Sequence, residues 1–369
     1  MKMTCSRTQL LAAVQAAAEV SPTRPPRPIV QCVLIESGEE HVELVATDLD
    51  VGIRYRMDGV KADGVGRAAV NAGMLLAVIK DMSGDEMSID AKPEKTVIES
   101  AGSRISLAGM DPADFPAVVG IDSDKVVKLP GEMIVKMLSR VSYAAGQEES
   151  RYAINGVFVK IKKRDMEFVA TDTRRLAIAR AKLDKDTKFE RGAILPLKLV
   201  GMLGKLAHGQ EEIGLVLRDN EAVFQCGGAV LSGRLVEGTY PKYEEAVPGD
   251  CERKVAVSRD ALRAALKQAM NFTTADTRAV VLRPSKGRVE VEARVAERGE
   301  ASIVVEAEYS GPDLEVAFNP QFLLDAMSRL EKDQAVLELK DAQRPALICE
   351  GREYLNVIMP VRLRGEGAQ

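Results

Sequence analysis

Six stretches of this 369-residue chain carry apolar residues at i, i+3, i+4 and i+7, the stripe of a helix that buries one face. They begin at Leu10, Leu75, Ile134, Leu199, Leu262 and Leu323, which stand 65, 59, 65, 63 and 61 residues apart. A period held five times in succession requires one supersecondary unit used six times, and no single ordinary core accommodates that. Helix starts are marked as well. Ser6 with Gln9 forms a capping-box pattern, Asn71 and Ser258 are good N-caps, and Pro130, Pro196 and Pro320 fall where a first turn has no hydrogen bond to lose.

Between the stripes the chain is strand-like, as in residues 30–37, 41–47, 156–162, 166–171, 288–293 and 301–309, with partial alternation. A coarser repeat groups the units in pairs. ATDLD at Ala46–Asp50 recurs as ATDTR at Ala170–Arg174, and DFPAVV at Asp114–Val119 recurs in TYPKYEEAVP at Thr239–Pro248, at offsets of 124 and 125. Three tandem domains of that length fill the chain: 1–122, 125–248 and 251–363, with a tail at 364–369. The expected class is α+β, each domain setting two helices on two antiparallel sheets, because a helix with one apolar stripe is buried on one side only.

Composition restricts the function. Aromatic residues make up 4% with no Trp, too few for a base-stacking platform, and the formal charge of −4 gives no overall attraction to phosphate. Local charge runs the other way. The six helical stretches hold 10 Lys and Arg against 6 Asp and Glu, leaving 41 against 49 elsewhere. Arg259, Arg263 and Lys267 follow one another at helical spacing, where like charges repel; a polyanion opposite that face would relieve them, and a solvated face is the other reading. Arg24 and Arg27, in the proline-stiffened TRPPRPIV, suit either phosphate contact or a polar turn.

Catalysis finds little support. DGVGRAA matches a dinucleotide fingerprint at Gly64, Gly66 and Ala69, but YRMDGVKAD before it is too polar for a buried parallel strand. No GxxxxGK[ST] occurs, His41 and His208 read as surface residues, and Asp48 and Asp172, each after Ala-Thr, read as turn caps rather than a carboxylate pair. The cysteines, Cys5, Cys32, Cys226, Cys251 and Cys349, are odd in number and without CxxC spacing, which predicts reduced thiols of a cytoplasmic protein and no zinc site. The N-terminal apolar run, broken by Gln15 and Glu19, reads as strand and helix, not as a signal or membrane span.

Several stretches, in order, resemble the bacterial DNA polymerase III beta subunit family of replicative sliding clamps: ATDLDVGIR, SRISLAGMDPADFP, RYAINGV, VATDTRRLA, LVEGTYPKYEEAVP, FNPQFLLDAM and MPVRL. The resemblance covers essentially the whole chain. It implies a non-catalytic processivity factor without cofactor or metal, half of a closed ring, whose homodimer encircles double-stranded DNA irrespective of sequence. DNA-facing residues would be Arg24, Lys136, Arg140, Arg151, Lys198, Lys205, Arg263 and Lys267. The dimer interface would bring Arg104 and Ile105 to Phe272 and Glu300 of the other chain. A pocket for short peptides of the polymerase, clamp loader and repair proteins would comprise Ile154, Thr171, Arg174, Arg175, Leu176, Pro241, Ala246, Val357, Met359 and Pro360. From the residues alone, Leu176, Val357 and Met359 also read as plain core. Arg174, Glu245, Ala246 and Asn71 depart from common family residues, which predicts an altered peptide preference.

Overall fold

The computed structural model describes residues 1–25, 27–38, 41–60, 62–121, 126–146, 153–187, 190–249, 251–274, 278–296 and 298–362. Among them are six α-helices, one on each stripe: α1 (Arg7–Val20), α2 (Ala72–Asp81), α3 (Gly131–Val141), α4 (Leu197–Leu206), α5 (Arg259–Met270) and α6 (Pro320–Met327). Every stripe residue is buried except Val78 and Leu206, which are half-buried. Each buried Leu, Ile or Met contributes about 2 kcal/mol through the apolar surface it withdraws from water.

The caps act as the sequence predicts at three helices. Ser6 Oγ accepts from Gln9 N at 3.2 Å, Asn71 Oδ1 from Met74 N at 2.9 Å and Ser258 Oγ from Ala261 N at 3.4 Å. Pro130 and Pro196 instead close the strands Val127–Pro130 and Glu190–Pro196, one residue ahead of their helices, while Pro320 occupies the first turn of α6 behind Asn319. Helix α6 stops early because the Arg329 and Leu330 amides turn to Ala326 O and Met327 O, the tighter i→i+3 pattern. Among the described residues no helix is long and apolar enough to cross a membrane.

Among the described residues all strand pairings are antiparallel, and the strands make two large sheets, of 13 and 12 members. Each sheet belongs to one of two compact units, Met1–Val135 with Lys198–Leu235, and Lys136–Leu197 with Val236–Gln369. This division falls inside the middle repeat, and strand pairing explains it. In the first unit Val51–Met57 pairs with Ala229–Arg234, so the sheet of the first repeat runs on into the second half of the middle one. In the second unit Arg175–Lys182 pairs with Tyr354–Ile358, joining the first half of the middle repeat to the third.

Alternation is only partial in the sequence because central strands are covered on both faces. Cys32, Leu34 and Val45 cluster with Ile29, Phe115 and Val118, whereas the opposite face of the same strands lies under α1 and α2. The second unit repeats this arrangement: Val169, Leu176 and Ile178 cluster with Tyr240 and Tyr243. Phe158 stacks on Tyr240 at 4.9 Å, and Tyr243 meets Tyr240 edge-on at 6.2 Å. The recurring DFPAVV and TYPKYEEAVP segments are therefore covers for the face away from the helices.

None of the five cysteines is in a disulfide. Burial pushes the Cys5 and Cys32 thiols up to about 11 and Cys226 up to about 12. Because a raised pKa withholds the thiolate, roughly one Cys5 or Cys32 in a thousand is reactive at pH 8. In a thiol-labelling time course at that pH, Cys5, Cys32 and Cys226 of the native protein should stay unmodified over minutes, and all five should react in denaturant.

Candidate functional site

The turn between Asp165–Thr171 and Arg175–Lys182 is built by its first two residues. Asp172 Oδ1 accepts the Arg174 and Arg175 amides at 3.0 and 2.9 Å, and Thr171 Oγ1 accepts from Thr173 N at 3.1 Å while donating to Arg175 O at 2.7 Å. Thr173 is thereby held at φ 74°, a left-handed conformation that costs a β-branched residue energy unless its surroundings fix it. ATDLD makes the same turn: Asp48 Oδ1 accepts Asp50 N and Val51 N, Thr47 Oγ1 bridges Leu49 N and Val51 O, and Leu49 sits at φ 84°. Both aspartates are turn caps.

Beyond the turn, Leu176 lies opposite Val357 and Arg175 opposite Ile358, and Met359 N donates to Arg174 O at 2.9 Å, extending the pairing by one residue. This register places Ile154, Leu176 and Val357 in one buried cluster, with Thr171 buried beside it. Met359 remains 42% exposed, Arg174 and Ala246 are exposed, and Pro241 and Pro360 are half-buried. The expected pocket residues thus form a buried aliphatic floor with an exposed methionine at its rim. Such a surface takes an apolar anchor from a flexible segment.

Arg175 differs from the rest of that set. Its Nε donates to Asp172 Oδ2 at 3.0 Å, Nη1 to Asp325 Oδ2 at 2.6 Å and Nη2 to Tyr143 O at 2.6 Å. The rings of Phe322 and Tyr143 lie 4.5 and 5.3 Å from its guanidinium carbon. With every nitrogen engaged, it supports the turn from behind rather than offering itself to a ligand.

The twin joint in the first unit shows what makes the floor open. Its register is the same, with Gly52 opposite Ser232, Val51 opposite Gly233 and Arg234 N donating to Asp50 O at 2.9 Å. Gly52, Ser232 and Arg234 stand where Leu176, Val357 and Met359 stand in the other. A Cβ on Gly52 would come within 2.6 Å of Val118 Cγ1, so the cover segment fills the space that the glycine leaves. The first joint is small-sided and filled by Val118; the second is apolar, with Leu176 and Val357 buried and Met359 exposed beside them.

The cationic helix faces are largely exposed, and most of their charges already have carboxylate partners. Lys136 pairs with Glu331 at 2.6 Å, Lys198 with Asp48 at 2.5 Å, Lys205 with Glu19, and Arg263 with Asp260 at 3.4 Å. The Lys136 ammonium, with Arg140 nearby, holds the Glu331 carboxyl below the usual range. Lys267 and Arg24 are exposed without an ion pair among the described residues, and Arg151 lies outside them. Arg259 is not left to mutual repulsion on that face: it donates to Leu330 O at 3.0 Å and lies near Asp260 and Asp333.

Arg140 is a larger correction. Its guanidinium is buried, 2.5 Å from Glu350 Oε2 and over the Tyr354 ring, so it does not present a charge at the helix surface. Glu350 Oε1 in turn accepts the Glu331 and Lys332 amides at 2.9 and 2.8 Å, pinning the loop after α6.

Besides the end strands of each sheet, such as Val127–Pro130 and Glu190–Pro196, two strands that carry residues expected at the interface have open stretches among the described residues. Ser103–Met110 pairs along one side with Lys95–Ser100, but on the other only Gly109 and Met110 have partners, leaving residues 103–108 free. Gly299–Ser310 pairs with Arg288–Val295 as far as Glu306 and with Arg253–Ser258 from Ala307 on, leaving residues 299–306 free on their second side. Arg104 is exposed on the first edge, where it pairs with Glu99; Glu300, 3.8 Å from Arg294, and Glu306 are exposed on the second. Ile105 and Phe272 are half-buried, and Phe272 packs against the core of its unit.

Exposed apolar residues missed by the sequence reading accompany these edges: Met74, 58% exposed, on α2, and Val304, 55% exposed, on the second edge. Beside Val304 runs a groove of about 370 Å³ against α5, lined by Ala261, Ala264, Ala265 and Gln268. The signal was present in the sequence, since Met74 and Met270 are apolar residues lying off their helical stripes.

Three comparisons with known proteins return one family. Residues 1–119, 128–242 and 244–362 match the N-terminal, central and C-terminal domains of the DNA polymerase III beta subunit. The beta sliding clamp of Chlamydia pneumoniae is 29% identical over 367 residues, covering 99% of this chain and all of that one. Crystal structures of sliding clamps from Pseudomonas aeruginosa and Bartonella birtlesii, both bound to griselimycin, superpose with TM-scores of 0.92 at 27% and 28% identity, covering 98% of this chain and all of theirs.

Because Glu350 would lose its buried counter-charge, Arg140→Ala should destabilise the second unit by about 3 kcal/mol in urea unfolding, far more than Lys205→Ala at an exposed pair, which should cost under about 1 kcal/mol.

Proposed function

The chain belongs to the DNA polymerase III beta subunit family of non-catalytic sliding clamps, and from that premise we propose how this clamp works. It is a processivity factor that tethers the replicative polymerase to duplex DNA in the cytoplasm. Two chains join head to tail into a ring, each contributing three domains, 1–122, 125–248 and 251–363, followed by the tail 364–369. The supporting observation is the pair of free strand edges. Residues 103–108 carry Arg104 and residues 299–306 carry Glu300 and Glu306, so pairing one edge with the other of a second chain supplies missing backbone partners and opposite charges together. Ile105 and Met74 of one chain then meet the α5 groove, Val304 and Phe272 of the next.

Two such junctions close the ring around DNA, which is retained by topology. Arg24, Lys136, Arg151, Lys198, Lys205, Arg263 and Lys267 supply diffuse phosphate contacts that ignore base sequence; Arg140 is removed from that set by its burial. The floor of Ile154, Leu176 and Val357, with Met359, Pro241, Ala246 and Pro360 around it, receives an apolar-anchored peptide from the polymerase, clamp loader or repair protein. Tethering raises the effective concentration of the bound enzyme at the primer end, so modest peptide affinity gives long synthesis runs. The same floor is the site for griselimycin.

Light scattering should give twice the chain mass of 40.0 kDa, and a monomer at micromolar concentration would exclude the ring. Once loaded, the protein should remain on nicked circular DNA and be lost when the circle is cut; equal retention on both forms would exclude topological linkage. Leu176→Ala with Met359→Ala should weaken griselimycin binding by about a hundredfold, since two buried or rim contacts are truncated, with the dimer mass unchanged.

A further inference from the structure

Asp325 lies on α6, in the third repeat, and belongs to neither the floor nor the rim of the peptide site. One of its oxygens, Oδ2, accepts from Arg175 Nη1 at 2.6 Å; the other, Oδ1, accepts from Gln321 Nε2 one turn earlier on the same helix at 2.7 Å. The carboxylate is thus fixed in orientation by its own helix before it meets the arginine. Phe322, also on α6, stacks on the same guanidinium. Arg175 in turn fixes the turn at two points, donating to Asp172, which caps the Arg174 and Arg175 amides, and accepting from Thr171 at its carbonyl; the adjacent Arg174 carbonyl accepts from Met359 N.

Resting on the pocket reading above, we infer that Asp325 is a positioning residue for the peptide site. It clamps Arg175 so that the 171–176 turn presents Leu176 to the floor and holds Met359 at the rim. A guanidinium is required because three acceptors lie in its plane and two rings on its faces; an ammonium has no such fork. Left-handed Thr173 gives the clamp its importance, since a turn under backbone strain relaxes when its fixings are loosened.

The full-length dimer is titrated with griselimycin, with light scattering as the check on assembly. Asp325→Asn, isosteric and uncharged, should weaken binding by about tenfold, the loss of one hydrogen bond to a charged group, and Gln321→Ala by about two- to threefold. Asp325→Glu, which keeps the charge, should recover most of the loss. Because Asp325 acts through Arg175, the Arg175→Lys, Asp325→Asn double variant should bind no more weakly than Arg175→Lys alone, whereas general loosening of α6 would make the two losses add. Wild-type affinity in Asp325→Asn, or additive losses, while Leu176→Ala with Met359→Ala still weakens binding, overturns the clamp and leaves the pocket standing. Unchanged binding in that Leu176 and Met359 variant overturns the pocket, and the clamp with it.

Discussion

Antiparallel pairing of Arg175–Lys182 with Tyr354–Ile358 is the constraint on which the rest of the second unit depends. It joins strands nearly 180 positions apart and fixes by register which side chains share a face, since a slip of one residue would exchange Leu176 and Val357 for their polar or differently placed neighbours. The ladder also sets where the chain leaves the sheet. Met359 is held by one hydrogen bond to Arg174 O, and two residues on Val361 N donates to Ala317 O at 2.8 Å, on another strand. On the pocket reading proposed above, register fixes the floor while the exposed Met359 side chain leaves the rim adaptable, as would suit one surface serving several partners.

On the DNA-facing reading proposed above, the cationic helices would carry charge toward the duplex without gripping it. Lys136, Lys198, Lys205 and Arg263 each have a nearby carboxylate on their own unit. Exposed pairs of this kind are worth little, so a phosphate can replace the carboxylate at small cost and be given up as readily. The gain on each contact is the difference between two weak attractions, and movement along the duplex never has to break a strong one.

Helix positions, caps and the paired repeat were legible because each is a local pattern: stripes at helical spacing, a Ser or Asn ahead of them, and two Ala-Thr-Asp turns that fold alike. The continuous sheets were not, because nothing within Val51–Met57 says that Ala229–Arg234 will lie beside it. Arg140 was misread for the same reason. On the helix it resembles Lys136, one turn away, and only Glu350, 210 residues on, turns it inward. The floor of the proposed peptide site was placed by family resemblance, whereas the contact between Asp325 and Arg175, 150 residues apart, required coordinates. Open strand edges are also invisible to pattern, since a strand with a missing neighbour reads like one that has both.

Gly52 and Val118 have a consequence for chemistry directed at this protein. The two sheet joints share a backbone trace, yet in one of them a valine already occupies the space beside the glycine, over Ser232, with Arg234 at the far side. A compound shaped for the Leu176 and Met359 surface finds valine methyls and a guanidinium-bearing strand end in the look-alike. The first joint therefore offers such a compound no equivalent apolar surface.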